Sequence, residues 1–294
     1  MKQLLAALGL ALSLILSGCG EDGTTSNSNT GTVAMSLTDA PTDHENITGV
    51  FVTFTGIEYK HAAENGSNDE WQQIDLNETR TIDLLTLQDG NTTLLQQVEL
   101  PAGEIEAVRF VLDLDQCYVT LVGDVNQTME VPSGAQTGYK AIGGFTIPAG
   151  GVVNVTADFD LRKSVTITGE GTYKLRPTIK IINNIEVGEI NGTMSVDLNG
   201  SQAILYAYSD GSWDDAETNT TDGNFSNAVV STDATDGNFT LPWLSTGIYD
   251  LVLVAYTDTG DFENVLGFIA DVGIEAGTTA TVDITDETLI DALP

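Results

Sequence analysis

The sequence predicts an all-β protein with two β-sandwich domains in tandem, and three observations carry that reading. From residue 31 onward, short segments alternate apolar and polar side chains and are separated by Gly, Asn and Asp turns. No long segment repeats its apolar residues with the 3.6 period of a helix. The 294 residues, 41% of them hydrophobic, suffice for about two ordinary cores.

The chain opens with Lys2 and a 13-residue run of mostly Leu and Ala from Leu4 to Leu16. A spanning helix needs about 20 residues, so residues 1–18 are expected to be a secretory signal. Leu16-Ser17-Gly18-Cys19 resembles the lipobox of bacterial lipoprotein signal peptides. The resemblance implies cleavage before Cys19, acylation of its thiol, and anchoring in a lipid bilayer through that residue. At about 0.8 kcal/mol per buried methylene, two or more acyl chains hold a protein stably. Inner-membrane lipoproteins of enteric bacteria carry Asp where Gly20 stands, so the same resemblance implies the outer membrane of the cell envelope. Residues 19–30, the lipidated Cys followed by GEDGTTSNSNT, are expected to form a flexible tether. Acylation leaves Cys117 without a disulfide partner. It stands in an apolar run with no flanking Lys or Arg, the setting of a buried, inert thiol.

Residues 31–185 are expected to form the first sandwich. Val50, Val52 and Phe54 alternate with Phe51, Thr53 and Thr55. Val153, Val155, Ala157 and Phe159 share one strand face, which puts Asp158 and Asp160 on the other. Ile82 to Leu87 reads as a short helix or extended crossover. Residues 31–183 resemble the domain-of-unknown-function family 4382 of bacterial and archaeal lipoproteins. The matching residues are MSLTDAP (35–41), Val50 to Tyr59, Trp71, IDLL (82–85), LPAG (100–103), Arg109, VPSG (131–134), Lys140, ADFD (157–160) and YKLRPTIKI (173–181). The resemblance implies a secreted or surface β-domain and supplies no catalytic residues.

Charge marks the boundary, near residues 184–189. Residues 1–183 hold 23 acidic and all 10 basic residues, whereas 184–294 hold 20 acidic residues and no Lys or Arg. Residues 186–294 are therefore expected to be a second, acidic sandwich. TDATDGNFTLPWLSTGIYDLVLVAY (232–256) resembles the carboxypeptidase-regulatory-like, transthyretin-like β-sandwiches. Asp236-Gly237 has hairpin-turn chemistry, and Gly247 leads into the next strand. That family implies an accessory, non-catalytic module, and its architecture is shared with starch-binding-type domains.

A net charge of −33 excludes nucleic acid as a partner, because phosphate contacts need Lys and Arg. It also disfavours electrostatic docking on anionic lipid. His44 and His61 lie outside any HxH or HExxH spacing, and both stand in turn-like polar stretches, which gives little support to a zinc site or a Ser/His/Asp triad. Among 43 acidic residues, pairs such as Asp113/Asp115 and Asp158/Asp160 arise by composition alone. Eleven N-x-S/T sequons likewise follow from an Asn- and Thr-rich composition.

Calcium is the one cofactor with a motive. The loops Asp210 to Asp222 and Asp233 to Asn238 are dense in oxygen ligands, with Asp210, Asp214, Asp215, Asp233 and Asp236 as candidates. Tyr206, Tyr208 and Trp213 are candidates for stacking on sugar rings. Trp243, flanked by Leu241-Pro242 and Leu244, reads as a core residue. The sequence thus describes a cell-envelope lipoprotein acting as a non-catalytic binding or structural module, with polysaccharide or an envelope protein as partner. One rival is a carbohydrate-binding accessory protein using the C-terminal sandwich. The other is a carboxylate-based hydrolase.

Overall fold

The computed structural model describes residues 29–40, 47–62, 70–131, 138–169, 171–218 and 225–294. The expected signal and tether through residue 28, Cys19, His44 and Asp222 lie outside the described residues. The fold is all-β.

The first half is built from β1 (Thr30–Ala40), β2 (Ile47–His61), β3 (Gln72–Asp83), β4 (Thr93–Pro101) and β5 (Gly103–Leu112). Then follow β6 (Tyr118–Leu121), β7 (Val125–Glu130), β8 (Tyr139–Lys140) and β9 (Phe145–Ile147). It closes with β10 (Val152–Asp160), β11 (Val165–Ile167), β12 (Tyr173–Leu175) and β13 (Ile179–Asn183). One sheet runs β13-β10-β1-β4, with β1 parallel to β10 and antiparallel to β4. The other runs β11-β12-β7-β6-β2-β5-β8, with β3 added beside β2 and β9 beside β5.

Period-two alternation places the core between these sheets. Val33, Met35 and Leu37 of β1 and Val153, Val155, Ala157 and Phe159 of β10 are buried against Val52, Phe54 and Phe110 of the larger sheet. The Phe159 ring meets Phe54 at 5.5 Å and Phe110 at 5.6 Å, both at steep angles. Each such pair adds about 0.5–1.5 kcal/mol beyond the area it buries. Arg109 lies 4.1 Å from the Trp71 ring centroid, and its Nε donates to Glu58 opposite it on β2. Trp71 and Arg109 thus serve to fix the β2–β5 pairing. Cys117 is buried, and burial pushes its thiol above the ordinary value.

The 82–87 segment resolves into a 3-10 turn over Leu84–Leu87. The Asp83 carboxylate sets it, accepting from Leu85 N at 3.2 Å and Val50 N at 3.0 Å. Gln88 to Asn91 then reverse the chain, with Asp89 at φ 58° and Gly90 at φ 80°. Positive φ at both central residues is the type I′ geometry that an Asp-Gly pair accepts. The Thr38 hydroxyl ties this turn to β1 through Leu87 O (3.1 Å) and Asn91 O (2.9 Å).

The second half comprises β14 (Val187–Met194), β15 (Gln202–Ser209), β16 (Val230–Asp233), β17 (Asn238–Ser245), β18 (Gly247–Tyr256), β19 (Phe262–Ile274) and β20 (Thr279–Ile284). Its sheets run β17-β14-β20 and β16-β15-β18-β19. Among the described residues, strands β1–β13 pair only among themselves, as do β14–β20, and the 3-10 turn Asn184–Glu186 lies between the sets. Ile190, Leu205, Leu241, Leu251, Leu253 and Ile284 fill the space between the sheets. β18 is buried along almost its whole length because a second cluster covers its other face. The Asp236-Gly237 turn does not close a hairpin: β16 and β17 belong to different sheets, and the chain crosses between them there.

Candidate functional site

A cavity of about 270 Å³ lies between the two sandwiches. Its first wall is the outward face of β10 and β13, which carries Asp158, Asp160, Lys180 and Ile182 beside Thr178, with buried Asp39 of β1 behind. Ile142 joins this wall because its backbone bonds Ile179 O and Ile181 N, each at 2.8 Å. The opposite wall is Ala228 to Ser231, leading into β16, together with Pro242 and Trp243 of β17.

A bulge presents the tryptophan. On β14, Gly188 pairs with Leu244 and Ile190 with Leu241, so Pro242 and Trp243 face a single β14 residue. Proline is tolerated there because β17 is a sheet edge, and Trp243 takes φ 61°. The bulge overturns the expectation that Trp243 packs in the core. It sits half-buried at the junction and separates the cleft from a second cavity of about 310 Å³ beside Gly90 and Val187.

The Asp89-Gly90 turn closes one end. A Cβ on Gly90 would stand 3.3 Å from Pro242 Cβ, so the backbone approaches the second sandwich closely. The Thr232 hydroxyl donates to Asp89 Oδ1 at 2.7 Å across the junction. Burial raises the Asp89 carboxyl above its ordinary value, the Thr232 bond partly offsets this, and the charge of Asp233 adds to it. Two lining residues each keep a polar atom buried away from the cleft, Ser231 Oγ and Trp243 Nε1, with no hydrogen-bond partner among the described residues. Ser231 itself is only 2% exposed.

The aromatic candidates do not form an open strip. Tyr206 and Tyr208 are fully buried, with hydroxyls bonded to the Tyr256 hydroxyl and to Glu217. Phe225 covers Tyr206 by stacking at 4.5 Å, and Trp213 meets Tyr208 edge-on at 5.2 Å. These rings are a second hydrophobic cluster outside the β15–β18 sheet, so the faces of Tyr206 and Tyr208 pack protein instead of sugar.

The acidic candidates separate. Asp214 and Asp215 accept from Ala216 N and Trp213 Nε1 within their own turn. Asp233 accepts from Thr235 N, and Asp236 sits in the following turn. Among the described residues, only Asp210 of these candidates joins a cluster, with Asp250 and Asp271, whose carboxylate oxygens lie within 4.8 Å of one another. That set suits a hard cation by ligand type. Backbone amides of Gly211 (3.1 Å) and Asp271 (3.3 Å) already account for the burial of Asp250. Sequence reasoning missed Asp250 and Asp271; the available signal was a charge inside the apolar run Ile-Tyr-Asp-Leu-Val-Leu-Val. It also missed Asp39, Asp89, Ser231 and Lys180 as cleft residues.

Among the described residues, no helix is long and apolar enough to cross a membrane. Residues 30–177 match the family described as Domain of unknown function (DUF4382). No curated protein matches the chain. Similar solved structures include the minor pilin GBS52 of Streptococcus agalactiae, with 12% identity, 85% of this chain and 94% of that chain covered, and a TM-score of 0.21. The major pilin subunit BcpA of Bacillus cereus matches at 11% identity over 87% of this chain and 69% of that one, with a TM-score of 0.23. A fimbrial protein from Bacteroides ovatus matches at 11% identity over 88% and 49%, with a TM-score of 0.21. TM-scores this low carry no role from those proteins to this chain.

Proposed function

The chain belongs to the family described as Domain of unknown function (DUF4382), and from that premise we propose that it is a non-catalytic binding module of the cell envelope, held by an acylated Cys19, with the cleft between its sandwiches as the binding face. One observation carries the binding reading. Asp39 of MSLTDAP, Asp158 and Asp160 of ADFD, and Thr178 and Lys180 of the 173–181 segment lie far apart in sequence yet line one cavity. Core packing explains Phe159 and Ala157; it does not explain Asp158, Asp160 and Lys180 converging on the sandwich's outer face.

The rival hydrolase needs two carboxylates flanking a scissile bond, one of them with a raised pKa. Asp89 has the raised value, but Thr232 holds it as an acceptor that joins the two sandwiches. That hydrogen bond gives the carboxylate a structural role, which favours binding over catalysis.

Two measurements test the proposal. Cys19→Ala should move the protein from detergent-extracted membranes into the soluble fraction; equal membrane retention would refute the anchor. For the cleft, a thermal-shift screen of small ligands should compare the parent with Val229→Trp, which fills the cavity from its exposed rim. Ligands that raise the parent's Tm and not the variant's are expected. If every hit acts on both proteins alike, the binding face lies elsewhere.

A further inference from the structure

We propose that Asn199 is a site of spontaneous deamidation, and that the fold opens the Asn199-Gly200 pair to this reaction while it shields Asn191-Gly192. The chemistry is intramolecular. The backbone nitrogen of Gly200 attacks Asn199 Cγ, and the new bond closes a succinimide ring. The Cγ–Nδ2 bond breaks, and Nδ2 leaves as ammonia with the amide proton of Gly200. Water then opens the ring at either carbonyl, which leaves an aspartyl or an isoaspartyl residue at position 199. Asparagine is the labile partner because it carries an amide, whereas an ionised aspartate is a poorer electrophile.

The turn supplies what the ring needs. Asn199 and Gly200 are the exposed central residues of a turn between β14 and β15, closed by Ser201 N donating to Leu198 O at 2.9 Å. Both have positive φ, 52° and 99°, the type I′ geometry that an Asn-Gly pair accepts. Ring closure requires the Asn199 side chain and the Gly200 amide to swing towards each other. A Cβ on Gly200 would meet nothing within 4 Å, so that swing has free space. The Gly200 N–H has no acceptor among the described residues, so no hydrogen bond must break first.

Asn191-Gly192 has the same chemistry and none of this freedom. It lies in β14, the central strand of its sheet, opposite Thr240 and Phe239 on one side and Thr281 and Val282 on the other. Asn191 Nδ2 donates to Glu189 Oε1 at 3.1 Å, and a Cβ on Gly192 would stand 1.8 Å from Val282 O. The described Asp-Gly pairs are held as well. Gly211 N donates to Asp250 Oδ2 at 3.1 Å, Gly237 N donates to Ala234 O at 3.0 Å, and Asp89 Oδ1 accepts from Thr232. The remaining Asn-Gly pair, Asn65-Gly66, lies outside the described residues. Reaction at Asn199 adds a carboxylate to residues 184–294, which already hold 20 acidic residues and no Lys or Arg.

The test incubates the full chain in detergent in mildly alkaline buffer, beside a sample unfolded in guanidinium chloride. Cleavage after glutamate releases residues 190–217, so one fragment carries both Asn191 and Asn199, and tandem mass spectrometry reads each. In the folded chain we expect Asn199 to reach half conversion with Asn191 still intact, whereas in the unfolded sample both should convert. Asn191 converting alongside Asn199 in the folded chain would show that the fold does not select, and would overturn the proposal. An Asn199 that stays intact in the folded chain would overturn it too, because the turn would then protect the amide.

Discussion

Thr232 Oγ1 and Asp89 Oδ1, 143 residues apart, meet at 2.7 Å and join the two sandwiches by a side-chain hydrogen bond. Thr232 is fully buried on β16, and Asp89 sits at the tip of a turn that Thr38 pins to β1. The contact is specific because both partners are fixed before they meet. Replacing Thr232 by Val keeps the shape and removes the donor, which should cost about 1 kcal/mol in urea unfolding. An unchanged midpoint would show that the junction does not depend on this bond.

Asp89 gives the junction a pH dependence of known sign. Its carboxyl is held above its ordinary value, chiefly by burial, so the folded protein binds that proton more tightly than the unfolded chain. Ionising it therefore costs stability as pH rises through the raised value, and the cost vanishes below the unfolded value of about 3.9. Asp89→Asn keeps an acceptor for Thr232 without the charge. It should raise Tm at pH 7 relative to the parent and lose that advantage by about pH 3.5. Melting curves at both pH values decide it; a variant less stable at pH 7 would contradict the assignment.

Phe225 holds the outer aromatic cluster together while adopting φ 53°. It stacks on Tyr206 at 4.5 Å and lies 6.0 Å from Trp213 in a parallel arrangement. Phe225→Ala should cost about 3–5 kcal/mol, as for other buried aromatics. Because its loss uncovers Trp213, the folded variant's tryptophan emission should shift to the red. A blue or unchanged emission would mean that the cluster closes over the gap.

Repulsion among the acids of the second sandwich should make stability respond to salt. Its 20 carboxylates have no Lys or Arg on residues 184–294 to offset them. The screening length falls from about 30 Å at 0.01 M salt to about 3 Å at 1 M. The Tm of the transition involving residues 186–294 should rise clearly over that range. A flat response to NaCl would show that the acids are too dispersed to repel.

Strand faces were legible because period two is a local property. The alternation in β2 and β10 is already visible in single segments, and the apolar run Leu251 to Tyr256 of β18 fits a strand covered on both faces. The cleft was not legible, since it depends on register and on contact between distant segments. Trp243 looks like a core residue until its bulge against β14 is known. Tyr206 and Tyr208 do share a face, but only the fold shows Phe225 covering it. Asp89-Gly90 carried turn chemistry in the sequence, with nothing to say that the turn would reach Pro242.

The central claim is that two separately folded sandwiches meet to form the cleft, and amide spectra of the fragments 31–185 and 186–294 beside the full chain test it most directly. The account predicts well-dispersed spectra for both fragments. Differences from the full chain should concentrate at residues 38–39, 87–91, 142, 158–160, 178–182, 228–232 and 242–243. A collapsed spectrum for either fragment would mean one shared core. Superimposable spectra at those positions would mean that the sandwiches do not meet there, and either result would contradict the account.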